Sequence, residues 1–526
     1  MNKQNQKSES STNQNIIVQD LYAVMALAGA AIIASLIPDF HKFYFDHFIA
    51  IWLSAVIAAI ALITLSIKFY LKKTKSVEEQ GKIFEHAWKP EGFGSILAGY
   101  VEGEKIYVPE KARLGHVQVL GTTGRGKTES VILPWMMRDA SRGISSVLID
   151  GKGEPEIVSK IRSTLGDRVK LTVFDLGNLS NSCEINPLAS GSPQQITDRI
   201  FASFDFDDTY YRAVQFEAAL TIVELLSAIG EVVTFKRIYE LLSNDAAVSV
   251  AVQHFWVSLA LTDRIGRMLG MPRRDRDEKF AGLMSQLAPF AVGEVSAIVN
   301  STKRNESAHQ TLGHMALTST IRFKAEIFVL LIPTLKYQAI GKQLGKMVLQ
   351  ELAWAIGERA SRSGANWDFL PVYLDEFSAF AYEGFEQILN KARSSNVALH
   401  LSHQSMADLS IVSQDFARIV STNTNVKCLF GLNDPDTADF FARHIGTEST
   451  ERKTERVEVG GLFQRDQRTG QGSVREVEEY KIHPNRLKNF TNGYGVLHFP
   501  TAHGNLTTEI QFERILENAE AVKCNR

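Results

Sequence analysis

The chain has 526 residues, of which 44% are hydrophobic, and a formal net charge of -2. This length is enough for two or three folded domains. The near-neutral charge excludes a protein that binds polyanions over its whole surface, so any contact with nucleic acid needs a local basic surface or a narrow channel. Cys183, Cys428 and Cys524 show no metal-ligand spacing and are typical of reduced thiols.

Two apolar runs follow a polar N-terminus that is predicted to be disordered over residues 1–20. The runs cover residues 21–37 and 48–67, and the second is long enough for a hydrocarbon core of about 30 Å. We expect a two-helix transmembrane hairpin over 21–70. The lysines that follow the second run place both termini in the cytoplasm. A cleaved signal peptide and a buried core helix are the alternative interpretations.

Short apolar strand patterns alternate with helical stretches beyond residue 76, which predicts an α/β domain with a mainly parallel sheet. The predicted strands cover residues 116–120, 145–150, 171–175, 327–332, 370–375, 397–401, 426–430 and 495–499. A stretch of helical periodicity separates the third strand from the fourth. We therefore expect a nucleotide-binding domain in two parts, 76–189 and 321–515, interrupted by an all-helical insertion over 190–320. The charged, Gly-rich stretch 448–480 is predicted to be an exposed hairpin or mobile loop.

A phosphate-binding loop follows the first strand and precedes a helical run, 129–140, that Pro134 is expected to kink. The loop residues are Gly121, Thr122, Thr123, Gly124, Arg125, Gly126, Lys127 and Thr128. Glycines let the backbone N–H groups point at phosphate oxygens. In this pattern Lys127 binds the β- and γ-phosphates of ATP and Thr128 ligates Mg²⁺. Arg125 is either a further nucleotide contact or a side chain that points outward.

An acidic pair, Asp375 and Glu376, ends the apolar strand 370–375. After a phosphate-binding loop, an aspartate at this place is expected to hold Mg²⁺ and a glutamate next to it to polarise the attacking water. The alternative is a helix N-cap followed by a first-turn acid.

Two later residues have candidate roles in hydrolysis. Gln404 follows the strand 397–401 and either reports the γ-phosphate and orients water or caps a turn. Arg393 precedes that strand and is either an arginine finger that reaches a neighbouring subunit's nucleotide or a solvated surface side chain. We expect Glu376, Lys127, Arg393 and Gln404 to form the catalytic set.

The order of these motifs resembles the TraG/TraD family of coupling proteins in type IV secretion and conjugation. The resemblance also rests on segments not yet described, which are Asp150-Gly151-Lys152-Gly153-Glu154, Asn186-Pro187-Leu188, Ser402-His403-Gln404-Ser405 and Asn433-Asp434-Pro435-Asp436-Thr437-Ala438. The resemblance implies a RecA-like motor domain carrying an all-helical domain, assembled as a homo-hexamer at the bacterial inner membrane. It further implies partners, namely DNA with its relaxase or relaxosome, or secreted proteins, and the inner-membrane components of the secretion channel.

Three functions are compatible with this resemblance. The first is an ATPase that drives substrate transfer, the second a receptor or scaffold in which ATP binding serves assembly, and the third a chromosome-partition translocase of the FtsK type. The short loop between the apolar runs departs from relatives with a folded periplasmic domain. The short stretch after the last strand is expected to lack a long substrate-recruiting tail.

Overall fold

The computed structural model describes residues 94–514, apart from 207, 255–256, 303–316, 318–324, 363–366 and 459–466. The predicted disordered N-terminus (1–20) and transmembrane hairpin (21–70) lie outside the described residues. Among the helices that are described, none has the length and hydropathy needed to cross a membrane.

A mixed sheet of eleven strands organises the described residues, and β10 and β11 form a separate two-stranded sheet. The thirteen strands among the described residues are β1 Ser95–Val101, β2 Glu104–Pro109, β3 Val117–Leu120, β4 Ser146–Asp150, β5 Lys170–Asp175, β6 Glu326–Leu331, β7 Leu370–Asp375, β8 Val397–His403, β9 Val426–Leu429, β10 Thr447–Glu458, β11 Gln467–Tyr480, β12 Tyr494–Thr501 and β13 Gly504–Phe512. The large sheet has the order β2-β1-β13-β12-β9-β3-β8-β7-β4-β6-β5. From β9 to β5 every pairing is parallel, whereas β12, β13, β1 and β2 extend the sheet in antiparallel pairs.

The parallel strands are apolar because helices cover both of their faces. Every residue of β4, β7 and β8 is buried. The helices of this α/β part are Glu110–Arg113, Leu133–Ser141, Pro155–Leu165, Gln338–Ser361, Glu386–Ala392, Met406–Ser410, Gln414–Asn423, Pro435–Ile445 and Pro484–Lys488. The predicted α/β fold is confirmed, and the eight predicted strands all occur in it.

Three strands of the large sheet were missed by the prediction, namely β1, β2 and β13. For β13 the sequence explains this, because it carries polar residues along most of its length and buries few side chains beyond Ile510 and Phe512. The segment predicted as a hairpin or loop forms one antiparallel pair, β10 with β11, in which Thr447 lies opposite Tyr480.

Between β5 and β6, the residues that the structure describes form helices and connecting turns without a strand. The helices are Pro193–Ser203, Thr209–Ala228, Phe235–Ser243, Asp245–His254, Leu259–Leu269, Arg273–Ala291 and Ser296–Val299. Several begin at a side-chain cap, which satisfies N–H groups that have no partner inside the helix. Asp208 accepts from the N–H groups of Tyr210 and Tyr211, and Thr234 accepts from that of Arg237.

The helix after the phosphate-binding loop begins differently from the prediction. Its first turn, Thr128–Ile132, is a π-helix, and the α-helix proper covers Leu133–Ser141. Pro134 lies at the start of that α-helix rather than in its interior. The helix changes its hydrogen-bond spacing directly before Pro134, a residue that has no N–H to donate to the preceding turn.

A buried polar network links this helix to the centre of the sheet. Arg113 donates to both carboxylate oxygens of Asp139, at 2.9 and 2.6 Å, and to the hydroxyl of Tyr373 in β7 at 2.9 Å. Its Nε lies 3.1 Å from Nε2 of His400 in β8. All four side chains are buried. The network therefore fixes the helix against the two strands that end at the acidic pair and at Gln404.

Replacing Arg113 with methionine is expected to lower the free energy of unfolding by about 3–5 kcal/mol, because it leaves the buried Asp139 carboxylate without its main partner. Chemical unfolding monitored by circular dichroism measures this change. Arg267→Met is the matched control, since Arg267 and Asp263 form an exposed ion pair, and its effect should stay below about 1 kcal/mol. Equal effects of the two substitutions would show that the network does not stabilise the fold.

Candidate nucleotide site

The phosphate-binding loop lies at the carboxyl end of β3, between two neighbouring parallel strands. Gly124 and Gly126 have φ of 78° and 90°, a conformation that side chains other than glycine rarely adopt. A Cβ atom at Gly126 would lie 2.5 Å from Oδ1 of Asn492. Thr123 and Gly124 form the exposed tip of the loop. The glycines are therefore required both by the backbone curl and by the close approach of the segment before β12.

Lys127 is 6% exposed, and its Nζ donates to the carbonyl of Gly121 at 2.5 Å. Burial lowers its pKa, and the nearby carboxylates of Asp375 and Glu376 oppose this effect without cancelling it. The ammonium group thus lies inside the curl of the loop, where an anionic phosphate would be its strongest partner.

Arg125 does not point toward the mouth of the loop. Its Nη1 donates to the carbonyl of Phe490 at 3.1 Å, and its Nε lies 3.4 Å from Oγ1 of Thr122. The backbone carbonyl of Arg125 also accepts from the N–H of Gly493 at 3.3 Å. The two alternatives for this residue, a nucleotide contact and a side chain that points outward, stay predictions. Arg125 binds the loop to the segment between the last short helix and β12.

The predicted Mg²⁺ ligands lie side by side. The Oγ1 of Thr128 donates to Oδ2 of Asp375 at 2.5 Å. Asp375 is 1% exposed, and its other oxygen accepts from the N–H of Glu376. A hydroxyl and a carboxylate at the mouth of a phosphate-binding loop are the oxygen donors that Mg²⁺ prefers. The residues present therefore fit this ion, which Thr128 and Asp375 would hold.

Glu376 occupies the left-handed region, with φ of 55° and ψ of 48°. Such a conformation is costly for a residue with a side chain and is typical of functional sites. Its Oε1 accepts from Nε2 of Gln404 at 2.7 Å. Its Oε2 is buried without a hydrogen-bond partner, and Nζ of Lys152 lies 3.8 Å away, which is ion-pair range but too long for a hydrogen bond. One carboxylate oxygen is thus held in place while the other can accept a proton from water.

Gln404 lies in a hydrogen-bonded turn after β8. The carboxylate of Asp408 accepts from the N–H groups of Gln404 and Ser405, at 3.0 and 2.9 Å, and Ser405 caps the following helix. The two alternatives for Gln404 were a γ-phosphate sensor and a turn cap. The cap is Ser405, and the Gln404 amide contacts Glu376, so its side chain is in position to orient the glutamate.

The segment after β4, residues 150–154, also lies at this edge of the sheet, although no role was predicted for its residues. Asp150 is opposite Asp375 in the register of β4 and β7. Its carboxylate is buried and accepts from the N–H groups of Lys152 and Glu154, which shapes the turn. Burial lowers the pKa of Lys152, but Asp375, Glu376 and the other nearby carboxylates outweigh this and raise it. The sequence did carry a signal for Lys152, because it lies two residues after the end of β4, at the edge of a parallel sheet where ligands bind.

Burial and the charge of Asp375 raise the pKa of Asp150 from its usual value of 3.8 to about 7. Ionisation is therefore less favourable in the folded chain than in the unfolded one. Without Mg²⁺, the free energy of unfolding should decline as pH rises from about 4 to 7 and change no further above that range. Asp150→Asn should remove much of this decline, as measured by urea unfolding in EDTA at several pH values. Asp175→Asn, at the end of β5, should keep it, and identical profiles for Asp150→Asn and the unmodified chain would contradict the prediction.

The fourth predicted catalytic residue, Arg393, is not at this edge of the sheet. It is exposed in the 3-10 turn Arg393–Ser395, directly before the amino end of β8, whereas Gln404 follows the carboxyl end of the same strand. Arg393 therefore lies away from the phosphate-binding loop of its own chain. A contact with nucleotide would require a second copy of the chain, as the prediction of a finger in trans supposes.

Comparison with known proteins gives matches over most of the described residues. A family model described as the TraM recognition site of TraD and TraG matches residues 370–491. The type 4 coupling protein DotL of Legionella pneumophila subsp. pneumophila is 24% identical over 403 residues, which cover 65% of this chain and 51% of the relative. The chain thus spans about half the length of that relative.

Two solved structures of the conjugative coupling protein TrwB share the fold. The unbound monoclinic form of TrwBdeltaN70 has a TM-score of 0.56 at 13% identity and covers 83% of this chain and 92% of its own. TrwB in complex with ADP and Mg²⁺ has a TM-score of 0.55 at 13% identity, over 84% of this chain and 94% of its own. At such identities the likeness shows the fold alone. Together with the sequence matches, it confirms the resemblance predicted from the order of the motifs.

Proposed function

We propose that this relative of the type IV secretion coupling proteins is a membrane-anchored ATPase that brings a substrate to the secretion channel and drives its transfer by ATP hydrolysis. The observation that carries this proposal is the placement of Thr128, Asp375, Glu376 and Gln404 around the mouth of one phosphate-binding loop. Binding alone would not require a buried, oriented glutamate whose second oxygen lacks a hydrogen-bond partner.

The geometry supports a division of labour in hydrolysis. Mg²⁺ held by Thr128 and Asp375 would neutralise charge on the phosphates. Lys127 binds the phosphate oxygens from inside the loop. Glu376 accepts the proton of the attacking water at Oε2, while Gln404 holds Oε1 and so keeps the carboxylate in one orientation. Lys152 lies near that carboxylate and limits the charge repulsion between Glu376 and Asp375.

The membrane anchor and the assembly belong to the same proposal. The two apolar runs, 21–37 and 48–67, support a hairpin in the bacterial inner membrane with the nucleotide site in the cytoplasm. The position of Arg393, away from the site of its own chain, supports a ring in which each copy supplies it to a neighbour. A homo-hexamer is the assembly that the family resemblance implies. DNA with its relaxosome, or a secreted protein, is the expected substrate.

The test is the ATPase rate of the purified full chain with Mg²⁺, with and without single- and double-stranded DNA. A DNA-transfer motor should show a rate that DNA increases severalfold and that the Glu376→Gln substitution removes. A rate that DNA leaves unchanged would favour transfer of proteins instead. A wild-type chain that binds ATP but does not hydrolyse it under any of these conditions would overturn the motor and leave the receptor or scaffold function.

A further inference from the structure

A buried lysine lies two strands away from Gln404 and has no assigned role. Lys427, in β9, is 0% exposed. Its Nζ donates to Oε1 of Gln118 in β3 at 2.8 Å, to the carbonyl of Ser421 at 2.5 Å and to Oγ1 of Thr424 at 2.7 Å. Burial lowers the pKa of Lys427 well below its usual value. The Ser421 carbonyl can only accept, so the amino group donates to it whether it is charged or neutral.

The contact with Lys427 determines which way the Gln118 amide points. A charged amino group has no lone pair, so it requires the oxygen of the amide, and the amide NH₂ group then faces the other side. On that side, Nε2 of Gln118 lies 2.9 Å from Nε2 of His403, at the end of β8. Because the amide nitrogen donates, Nε2 of His403 must be the unprotonated, accepting nitrogen.

The other ring nitrogen of His403 leads to the same conclusion independently. Its Nδ1 lies 2.8 Å from the backbone carbonyl of Ser405. A carbonyl only accepts, so Nδ1 carries the proton. The carbonyl belongs to the residue directly after Gln404, whose amide binds Glu376 at 2.7 Å. A continuous series of hydrogen bonds therefore crosses from β9 through β3 to the turn after β8.

We propose that Lys427 and Gln118 are positioning residues for the sensor turn, His403–Ser405, because they fix the proton of His403 on Nδ1 and so hold Gln404 against Glu376. This inference rests on the proposed ATPase function for its catalytic consequence, but the tautomer itself follows from the contacts. The sensor turn is thus anchored at both ends, by Asp408 through its N–H groups and by His403 through the Ser405 carbonyl.

A double-mutant cycle in the full chain tests the route through Gln404. Lys427→Met should lower kcat on the order of 10- to 100-fold, since a small displacement of an orienting group is enough for such a loss. The KM for ATP should change less than about twofold, because the phosphate-binding loop is untouched. If Lys427 acts through Gln404, Lys427→Met combined with Gln404→Ala should have the kcat of Gln404→Ala alone. Effects that multiply would overturn the proposal.

The matched control is Arg199→Met, which removes another buried cation, in the helix Pro193–Ser203. Arg199 donates to the carbonyl of Pro187, far from the sensor turn in sequence. This control should lower the melting temperature without lowering kcat per folded molecule. An equal loss of kcat in both variants would reduce the role of Lys427 to general stability and contradict the proposal.

Gln118→Glu tests the tautomer without changing the size of a side chain. A carboxylate at this position presents only acceptors, so it draws a proton to Nε2 of His403. In the unmodified chain burial lowers the pKa of His403 to about 4; the Ser405 carbonyl and Asp408 raise it, and Lys127 and Lys427 lower it further. In Gln118→Glu the doubly protonated ring still donates to Ser405, but the neutral ring keeps its proton on Nε2. We expect the kcat of Gln118→Glu to fall as pH rises through an ionisation that the unmodified chain lacks, because the ring then loses its Nδ1 proton.

The two kinds of failure are distinguishable. Nitrogen-15 NMR of the full chain labelled in its histidine side chains, with His403→Asn for assignment, reports the tautomer without any need for hydrolysis. The Nδ1–H form is the expected result, and an Nε2–H form overturns the inference even in an active ATPase. A chain that shows the Nδ1–H form but no hydrolysis would instead overturn the proposed function.

Discussion

Replacement of Lys127 by alanine is expected to lower the affinity for ATP by roughly 100-fold, equivalent to about 3 kcal/mol. The amino group is buried inside the phosphate-binding loop and donates to the Gly121 carbonyl, so its charge-assisted contact with phosphate has no substitute from solvent. Titration with a fluorescent ATP analogue measures the effect. Lys391→Ala is the control, because Lys391 is exposed on the helix Glu386–Ala392. Unchanged affinity in Lys127→Ala would exclude this loop as the nucleotide site.

Glu376→Gln is expected to lower kcat by roughly 100- to 10,000-fold, which is the contribution of a positioned general base. The amide keeps the size and the contact with Gln404, so ATP should bind with nearly unchanged affinity. Steady-state ATPase assays and nucleotide titration on the same preparation separate the two effects. Glu154→Gln makes the same chemical change at the same edge of the sheet, where Glu154 is half-exposed, and should leave kcat within about twofold. A comparable kcat in Glu376→Gln and the unmodified chain would show that another group accepts the proton.

These two predictions distinguish loss of ATP binding from loss of ATP hydrolysis. The two residues come from different parts of the chain. Lys127 belongs to the loop after β3, and Glu376 follows β7. The strands are separated by β8, which delivers Gln404 between them. A parallel sheet places all three at its carboxyl edge, and the order of strands makes Gln404 the neighbour of both.

Much of the site was predictable because most of its functional residues lie in short contiguous motifs. The residues Gly121–Thr128 match a known loop geometry, and Asp375 ends a strand whose other five residues are apolar or aromatic, with Glu376 directly after it. The alternation of strands and helices predicted the parallel sheet for the same local reason. The proximity of Thr128 and Asp375 can be predicted once β3 and β7 are placed in the same parallel sheet.

What the sequence did not predict depends on contacts between distant segments. Arg125 binds the carbonyl of Phe490, 365 residues away. Lys427 and Gln118 are 309 residues apart and meet only because β9 and β3 are neighbours in the sheet. The polar strand β13 was missed since its pairing with β12 and β1, rather than an apolar pattern, stabilises it. The order of strands is a property of the whole fold, so no short motif encodes it.

The central claim is that hydrolysis at Glu376 drives transfer. The most direct measurement is the frequency of substrate transfer from donor cells in which the chain is replaced by Glu376→Gln, compared with Lys127→Ala and Glu154→Gln at equal protein levels. We expect Glu376→Gln to fall to the level of Lys127→Ala, while Glu154→Gln transfers like the unmodified chain. Transfer at the unmodified frequency by a Glu376→Gln chain that has lost its ATPase activity would contradict the account.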